Sequence, residues 1–266
     1  MAKPKQVEFE DGTVIPILYE DRAVLALDKP AGWMLAPDSW TKTSRNLQLA
    51  LERSIRAGDF WARARGLRFL RFVHRLDAGT TGIVLFARSQ GALGPFSNLF
   101  QSRQVEKRYL AVIHGVPKSA TWECALPLGP HRRLEGVTEI DRRAGKPAET
   151  HFRLLQAGTD TALVEAHPLT GRMHQIRVHL AAAGHPVLGD ELYWRQFQPS
   201  APARTAAPPA MGSPATLALR AVFLAYPDPF SGRWVRIAAP FAEFVRQFGF
   251  APESAEALAW RQRRKN

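Results

Sequence analysis

The stretch HRLDAGTTGIVLFA at positions 74–87 sets both the fold class and the candidate chemistry of this chain. Its second half, IVLFA at 83–87, is too short for a helix and too apolar for an exposed strand. It therefore predicts a strand that is covered on both faces. Its first half places one carboxylate, Asp77, beside Arg75 and before a turn flanked by two glycines. Such a carboxylate is either a structural turn residue or a reactive group.

Short strands separated by turns dominate the rest of the chain. Alternating apolar and polar residues with Gly, Pro and Asp breaks predict them. They lie in residues 7–36, 109–115, 150–156, 161–168 and 217–240.

Helices are predicted between these strands. Residues 43–57 are rich in helix formers, and helical spacing of apolar residues appears at 95–103, with Pro95 in the first turn, and at 173–183. Gly184 suits the C-terminal cap of the last of these helices. Together, the elements predict an α+β fold with a mixed, largely antiparallel sheet and flanking helices.

The chain is strongly basic. Lys and Arg number 36 against 24 Asp and Glu, which gives a formal net charge of +12 and a pI of about 10.5. A protein this basic usually binds a polyanion, most often nucleic acid. A single cysteine gives no disulfide framework, and no apolar segment reaches the length of a membrane helix. We therefore expect a cytoplasmic protein without membrane attachment.

One catalytic domain is predicted over residues 7–249. Within it, the stretch at 198–216 is rich in proline and alanine, which is typical of a flexible insertion. Residues 250–266 are predicted to be a basic C-terminal tail.

Metal and cofactor chemistry receive little support from the sequence. His174 and His179 are five residues apart on the helix predicted at 173–183, so they point about 140° away from each other. No phosphate-binding loop, dinucleotide fingerprint or nucleophile elbow is present. We expect neither a metal nor a cofactor.

A segment rich in arginine and aromatic residues precedes Asp77. Seven arginines between residues 53 and 75 are interleaved with four aromatic residues. This pattern is typical of a surface that follows the phosphates of RNA or DNA, although a solvated face over a core produces it as well. A neighbouring guanidinium favours the charged form of a carboxylate, and an ionised Asp77 can act as a nucleophile or charge stabiliser.

Five segments of this chain resemble motifs of the RluA-type pseudouridine synthases, in that family's order. They are LDKPAG at 27–32, HRLDAGTTG at 74–82, EKRYLAVIHG at 106–115, GKPAETHFRLL at 145–155 and GRMHQIRVHLAAAGHPVLGDELY at 171–193. The resemblance covers about residues 17–245, and five ordered motifs are a specific signal. The chain departs from the family pattern at Asp28, Thr81, Met173 and Arg220.

The resemblance implies roles for individual residues. Asp77 would be the catalytic aspartate, Tyr109 would stack on the target base, and Arg177 would pair with Asp77 and keep it ionised. His74 would be a scaffold contact. The implied RNA-binding side chains are Arg68, Arg71, Arg75, Lys107, Arg172 and His174.

The resemblance also implies a fold and a reaction. The fold would be the pseudouridine synthase fold, with two subdomains around a central catalytic cleft. The reaction would isomerise specific uridines of structured RNA, either rRNA or tRNA, to pseudouridine without a cofactor. The alternatives are a non-catalytic RNA-binding protein on the same fold and a glycosidase-like hydrolase, which needs a second carboxylate across the bond. We expect a monomer without the N-terminal S4 domain common in the family.

Overall fold

The computed structural model describes residues 2–35, 45–197 and 217–256. The chain folds into two compact units. The first comprises Met1–Glu106 and Ala221–Ala239, and the second comprises Lys107–Arg220 and Pro240–Asn266. In the described ranges, no helix combines the length and the apolar character needed to cross a membrane.

Paired strands form the sheet of the first unit. With all elements numbered in chain order, these strands are β1 (Gln6–Glu8), β2 (Val14–Glu20), β3 (Val24–Lys29), β4 (Arg71–Phe72), β5 (Thr81–Ala87), β12 (Leu219–Pro227) and β13 (Trp234–Ala238). They are ordered β1-β2-β3-β5-β12, with β4 also pairing with β5 and β13 with β12. The antiparallel pairs β2–β3 and β12–β13 confirm the strands predicted in these parts of the chain.

The strand β5 lies in the core of the first unit. Residues 82–87 are all buried, so the prediction of a strand covered on both faces is confirmed. The helix α3 (Gln90–Gln101) packs in the same core through Phe96 and Leu99. The helices α1 (Leu47–Ala57) and α2 (Phe60–Arg63) also lie in the described part of this unit.

Gly82 lies in β5 at a close approach between two backbones. Its φ is +104°, and a Cβ built on it would lie 2.1 Å from the carbonyl oxygen of Ala221 at the start of β12. Only glycine fits this position, because both the backbone angle and the space exclude a side chain.

Antiparallel strands also build the second unit. They are β6 (Glu106–His114), β7 (Thr121–Cys124), β8 (Leu128–Pro130), β9 (Thr138–Ile140), β10 (Thr150–Ala157) and β11 (Thr161–Pro168). Four of them are ordered β6-β11-β10-β7, and β8 and β9 form a separate two-stranded sheet. Hydrogen-bonded pairing of β10 with β11 confirms the predicted strand pair.

The described residues of the second unit also form the helices α4 (Gln175–Ala182), α5 (Glu191–Phe197), α6 (Ala242–Gln247) and α7 (Glu253–Glu256). Val178 and Ala181 of α4 are buried against Tyr193 of α5. After α4, Gly184 adopts φ +83°, as expected of a residue that ends a helix in the left-handed region. With α4 and the other helices beside the sheets, the α+β prediction is confirmed.

Several element boundaries differ from those predicted. The prediction that Pro95 lies in a first turn is wrong, because Ser89 caps α3 and the helix begins at Gln90, which places Pro95 in its middle. The segment assigned to the tail begins with the short helix α7, where Ser254 Oγ donates to Gln156 Oε1 at 2.8 Å. The insertion predicted at 198–216 and the tail beyond residue 256 lie outside the described residues.

Candidate active site

The loop that carries Asp77 leads from β4 into β5. Asp77 is partly buried, and its carbonyl oxygen accepts a hydrogen bond from Thr80 N at 3.1 Å. The next carbonyl oxygen, that of Ala78, accepts from Gly32 N at 2.8 Å and from Lys29 Nζ at 2.9 Å. The predicted catalytic carboxylate therefore lies on a turn that is fixed by the LDKPAG segment.

Lys29 is a fully buried lysine that holds three backbone carbonyls. Its Nζ donates to the carbonyl oxygens of Pro30 at 3.0 Å, Trp33 at 2.9 Å and Ala78 at 2.9 Å. Burial lowers the pKa of Lys29 to about 7, and the negative charge of Asp77 opposes this shift. Lys29 thus ties two of the family-like segments together, a role that the sequence alone did not predict.

Replacing Lys29 with Met should destabilise the first unit. The Lys29→Met side chain has similar length but donates no hydrogen bond, so buried carbonyls lose their partner at a cost of about 2–4 kcal/mol in the free energy of unfolding. Urea unfolding followed by circular dichroism measures this cost. Lys5→Met, at an exposed lysine of the same unit, is the matched control and should change stability little. An equal loss in both variants would contradict the role of Lys29.

The native protein and Lys29→Met should also differ in their pH dependence. The pKa of Lys29 is about 7 in the folded chain and near its ordinary value of 10.5 when unfolded, so unfolding takes up a proton between these pH values. The unfolding free energy that Lys29 contributes therefore rises as pH increases from 7 to about 10, relative to Lys29→Met. Urea unfolding of both proteins at several pH values in this range measures the difference.

His74 is a scaffold residue in the HRLDAGTTG segment. Its Nε2 accepts a hydrogen bond from Leu85 N at 3.1 Å, and its ring stacks on Phe100 of α3 with centroids 4.5 Å apart. Both contacts join the start of the loop to the core of the first unit, in agreement with the scaffold role that the resemblance implied.

The arginine-rich segment of the first unit divides into exposed and structural residues. Arg68, Arg71 and Arg75 are exposed, and Arg71 Nη1 lies 3.1 Å from Glu52 Oε1 on α1. The side chain of Arg65, in contrast, is buried, and its Nε donates to Glu20 Oε2 at 2.5 Å. The interleaved pattern therefore contains both a solvated basic face and a structural arginine.

Lys107 and Tyr109 lie two residues apart on β6 of the second unit. Tyr109 is partly buried and pairs with Ala166 of β11. Lys107 Nζ donates to Thr170 O at 3.0 Å, and burial lowers the pKa of Lys107 to about 8. In this structure Lys107, a predicted RNA-binding residue, secures the loop that precedes α4.

Gln175, the first residue of α4, organises the same loop. Its Nε2 donates to Thr150 Oγ1 at 2.9 Å, and its Oε1 accepts from Arg172 N at 3.0 Å and Thr170 Oγ1 at 2.7 Å. The loop at the start of α4 is therefore held by buried polar side chains, and Arg172 also donates from Nε to Pro147 O at 3.0 Å.

Arg177 projects from α4 into a cluster of polar and aromatic side chains. Its Nε donates to Asp190 Oδ2 at 2.6 Å and its Nη2 to Asp190 Oδ1 at 2.9 Å. Its guanidinium carbon lies 5.0 Å from the centroid of the Tyr193 ring. From the sequence, Asp190 was assigned no role in the site, so this ion pair was not predicted. The predicted pairing of Arg177 with Asp77 stays a prediction.

His174 precedes α4 with left-handed backbone angles, φ +53° and ψ 17°. Its Nδ1 lies 2.7 Å from Tyr193 Oη, which also accepts a hydrogen bond from Thr138 N at 3.1 Å. His174, predicted to bind RNA, therefore contacts the same aromatic residue as Arg177.

The second histidine considered as a metal ligand, His179 of α4, is a core residue. It is fully buried, and its ring nitrogens lie 3.0 Å from Thr150 Oγ1 and 3.0 Å from Leu126 O. In the described part of the chain, three partly or fully exposed side chains place one ligand atom each within 4.8 Å of one another: Glu123, Glu149 and His151. The hydrogen bond between His151 Nε2 and Glu149 Oε1, at 2.8 Å, accounts for part of this grouping.

A basic hairpin in the second unit was not predicted. Five exposed cations lie in the loop between β8 and β9 and in the loop after β9, where the sequence predicted neither a strand nor a helix: Arg132, Arg133, Arg142, Arg143 and Lys146. The repeated Arg-Arg pairs in HRRLEG and DRRAGK were the available signal.

Comparison with known families and proteins agrees with the motifs. The sequence model of the family described as RNA pseudouridylate synthase matches residues 23–182, more than half of the chain. The chain is 34% identical over 238 residues to ribosomal large subunit pseudouridine synthase D of Neisseria meningitidis serogroup A, which covers 87% of this chain and 59% of that protein. The chain therefore spans about three fifths of the length of this relative.

Two further matches cover most of this chain and most of the protein with which it is compared. The chain is 30% identical over 228 residues to dual-specificity RNA pseudouridine synthase RluA of Salmonella typhi, covering 84% of this chain and 92% of that protein. The solved structure of human RNA pseudouridylate synthase domain containing 1 matches with a TM-score of 0.62 and 27% identity, over 85% of this chain and 83% of that one. The predicted pseudouridine synthase fold is thus confirmed, and the chain belongs to the RNA pseudouridylate synthase family, of the RluA type that its five segments resemble.

Proposed function

We propose that this chain isomerises uridine to pseudouridine within RNA, with Asp77 as the catalytic carboxylate. The observation that carries the proposal is the position of Asp77 on a turn that the buried Lys29 fixes, in the segment that most resembles the family. In this reaction the bond from C1′ to N1 of uracil breaks and a bond from C1′ to C5 forms. A proton leaves C5 and N1 gains one, so no oxidant, reductant or cofactor is required.

Base extrusion is the first physical step of such a reaction. A stacked uridine cannot be reached, so it has to leave its stack, which costs a few kcal/mol. The aromatic face of Tyr109 would receive the extruded base. Arg177 would keep the carboxylate of Asp77 negative while that carboxylate acts on the nucleoside. Exclusion of water matters because water would convert isomerisation into hydrolysis.

RNA binding is supported by the charge and by its distribution. The chain carries a formal net charge of +12, and both units contain groups of exposed arginines. Contacts between such arginines and phosphates supply affinity that does not depend on sequence and that can offset the cost of extrusion. Of the residues that the resemblance assigned to RNA, the exposed Arg68, Arg71 and Arg75 suit this role best.

We infer a structured RNA substrate, rRNA or tRNA. The relative from Neisseria is named for the ribosomal large subunit and the relative from Salmonella for dual specificity toward RNA. The place of action would be the cytoplasm, and the active form would be a monomer that needs no metal. A non-catalytic RNA-binding protein on the same fold is the second candidate, because a fold does not guarantee activity.

Direct product analysis tests the proposal. The purified protein is incubated with transcripts of large-subunit rRNA segments and of tRNAs, and pseudouridine is mapped by carbodiimide modification and primer extension. Pseudouridine at defined uridines supports the proposal. Free uracil in the supernatant would instead indicate a hydrolase, and tight binding without any modified uridine would favour the non-catalytic candidate.

The basic hairpin should contribute to RNA affinity. We expect the double variant Arg132→Ala/Arg133→Ala to bind a substrate transcript about tenfold more weakly, because two phosphate contacts are lost. The slope of log Kd against log salt concentration should fall by about 1.5. Filter binding at several salt concentrations measures both quantities.

A second double variant is the matched control. Arg153→Ala/Arg246→Ala removes the same charge from exposed side chains on β10 and α6. If this control loses as much affinity as the hairpin variant, the contribution comes from net charge alone and the assignment of the hairpin is wrong.

A further inference from the structure

The contact between Arg177 and Asp190 has the geometry of a clamp. Two parallel N–H···O bonds, at 2.6 and 2.9 Å, join the edge of the guanidinium to both carboxylate oxygens. A bidentate pair of this kind fixes the plane of the guanidinium as well as its position. The side chain of Asp190 is 1% exposed and that of Arg177 is 11% exposed, so solvent does not compete for these bonds.

Tyr193 provides a second constraint on the same group. Its ring lies under the guanidinium carbon of Arg177 at 5.0 Å, while its backbone N–H donates to Asp190 Oδ1 at 3.3 Å. The edge of the guanidinium is thus held by Asp190 and one face by Tyr193. Both residues come from the GDELY segment at 189–193, at the start of α5.

The clamp is itself anchored on two sides. The Tyr193 side chain is fully buried, and its hydroxyl contacts Thr138 of β9 and His174 at the start of α4. Two other segments of the second unit therefore hold this hydroxyl, and a shift of either would move the ring under Arg177.

Stability alone does not account for such a pair. A buried ion pair gains little net free energy over apolar side chains of similar volume, because both charges lose their hydration. What the pair does provide is a defined direction for the rest of the guanidinium. Asp190 uses two of the five N–H bonds of Arg177, so the remaining three point away from Asp190 in a fixed fork.

We infer that Asp190 and Tyr193 are positioning residues for Arg177, which aim its remaining N–H donors at the charge of the reacting centre. This inference rests on the proposed function, since it assigns Arg177 a part in the reaction. In this role Asp190 and Tyr193 are positioning residues and not catalytic ones. They act through Arg177 alone.

The first test separates catalysis from RNA binding. Asp190→Asn keeps the shape of the side chain but removes its charge and one acceptor for Arg177. The single-turnover rate of pseudouridine formation should fall on the order of 10²-fold, as expected for a misplaced catalytic group. The Kd for RNA should change by less than about twofold, because phosphate contacts elsewhere are retained. Glu123→Gln removes one charge from an exposed side chain of the same unit and should leave the rate unchanged.

A double-mutant cycle tests whether Asp190 acts through Arg177. In the Arg177→Met background, Asp190→Asn should lower the residual rate no further, because the group that it positions is gone. A full additional loss in that background would overturn the inference.

Tyr193→Leu should lower the rate of pseudouridine formation more than Tyr193→Phe, which keeps the ring. Equal losses of rate in both variants would show that Arg177 is positioned by the Tyr193 hydroxyl and not by its ring, which contradicts the role inferred for the ring.

A spectroscopic readout keeps the clamp testable without activity. The side-chain Nε–H of Arg177 should give a slowly exchanging signal in nitrogen-15 spectra, identified by its loss in Arg177→Lys and weakened in Asp190→Asn. If the native chain shows this signal but modifies no RNA, the proposed function fails while the clamp stands. If the signal is absent from the native chain, the clamp itself is refuted.

Discussion

Asp77→Asn should abolish pseudouridine formation, with a loss of at least about 10³-fold, equivalent to roughly 4 kcal/mol in activation free energy. The amide that replaces the carboxylate carries no charge, so it can neither attack the nucleoside nor stabilise positive charge that develops on the sugar. Release of tritium from RNA labelled at C5 of uridine measures the reaction directly, because C5 loses its hydrogen when the new bond to C1′ forms.

The fold should tolerate this change. Asp77 is partly buried, and the hydrogen bonds that fix its turn are accepted by the backbone carbonyls of Asp77 and Ala78. Asp11→Asn is a suitable control, since Asp11 also lies in a turn of the first unit, where its Oδ1 accepts from Thr13 N at 2.9 Å. The control should keep full activity. Retention of more than about a tenth of the native rate by Asp77→Asn would remove Asp77 from the mechanism.

Gly82→Ala should be the most destabilising single methyl addition in the first unit. The new Cβ would lie 2.1 Å from the Ala221 carbonyl oxygen, at φ +104°. No rotamer relieves a clash between Cβ and backbone, so β5 and β12 would have to separate. We expect a loss of about 4 kcal/mol or more in the free energy of unfolding, or failure to fold. Urea unfolding monitored by circular dichroism measures the loss.

Two other glycines separate the causes of this effect. Gly12→Ala tests the backbone angle alone, because Gly12 has φ +80° and its new Cβ would meet no atom within 4 Å, and it should cost about 1 kcal/mol. Gly91→Ala, at an exposed position of α3 where the new Cβ would meet no atom within 4 Å, should stabilise the chain by up to about 1 kcal/mol. If Gly82→Ala lowers the free energy of unfolding no more than Gly12→Ala does, the close approach of β5 to β12 at Gly82 is contradicted.

The fold class and the family could both be predicted from the sequence. The buried strand at 83–87 was predictable because it is uniformly apolar and short, and the strand pair around Gly158 because its turn is explicit. The five segments identified the family because their order and spacing are specific. The start of α3 was not predictable from Phe96 and Leu99, because the cap at Ser89 precedes a glycine-rich stretch without apolar periodicity.

The candidate site was only partly predictable, for a different reason. Asp77, Tyr109 and Arg177 follow from the resemblance, which matches residue types along the chain. The roles of Lys29 and Asp190 depend on contacts between segments distant in sequence, such as the 2.9 Å bond from Lys29 to the carbonyl of Ala78. Arg65 shows the same limit, since a pattern of alternating arginines and aromatics does not reveal which arginine lies inside.

The interleaved order of the two units has a consequence for synthesis of the chain on the ribosome. The first unit is made of Met1–Glu106 and Ala221–Ala239. Strand β5 therefore cannot pair with its neighbour β12 until the whole of Lys107–Arg220 has been translated. At roughly 5–20 residues per second, that interval lasts on the order of 10 s. During it, the nascent chain exposes an apolar strand edge, which is a template for aggregation. Slowing of translation within 107–220, or loss of holdase chaperones, should therefore lower the yield of folded protein.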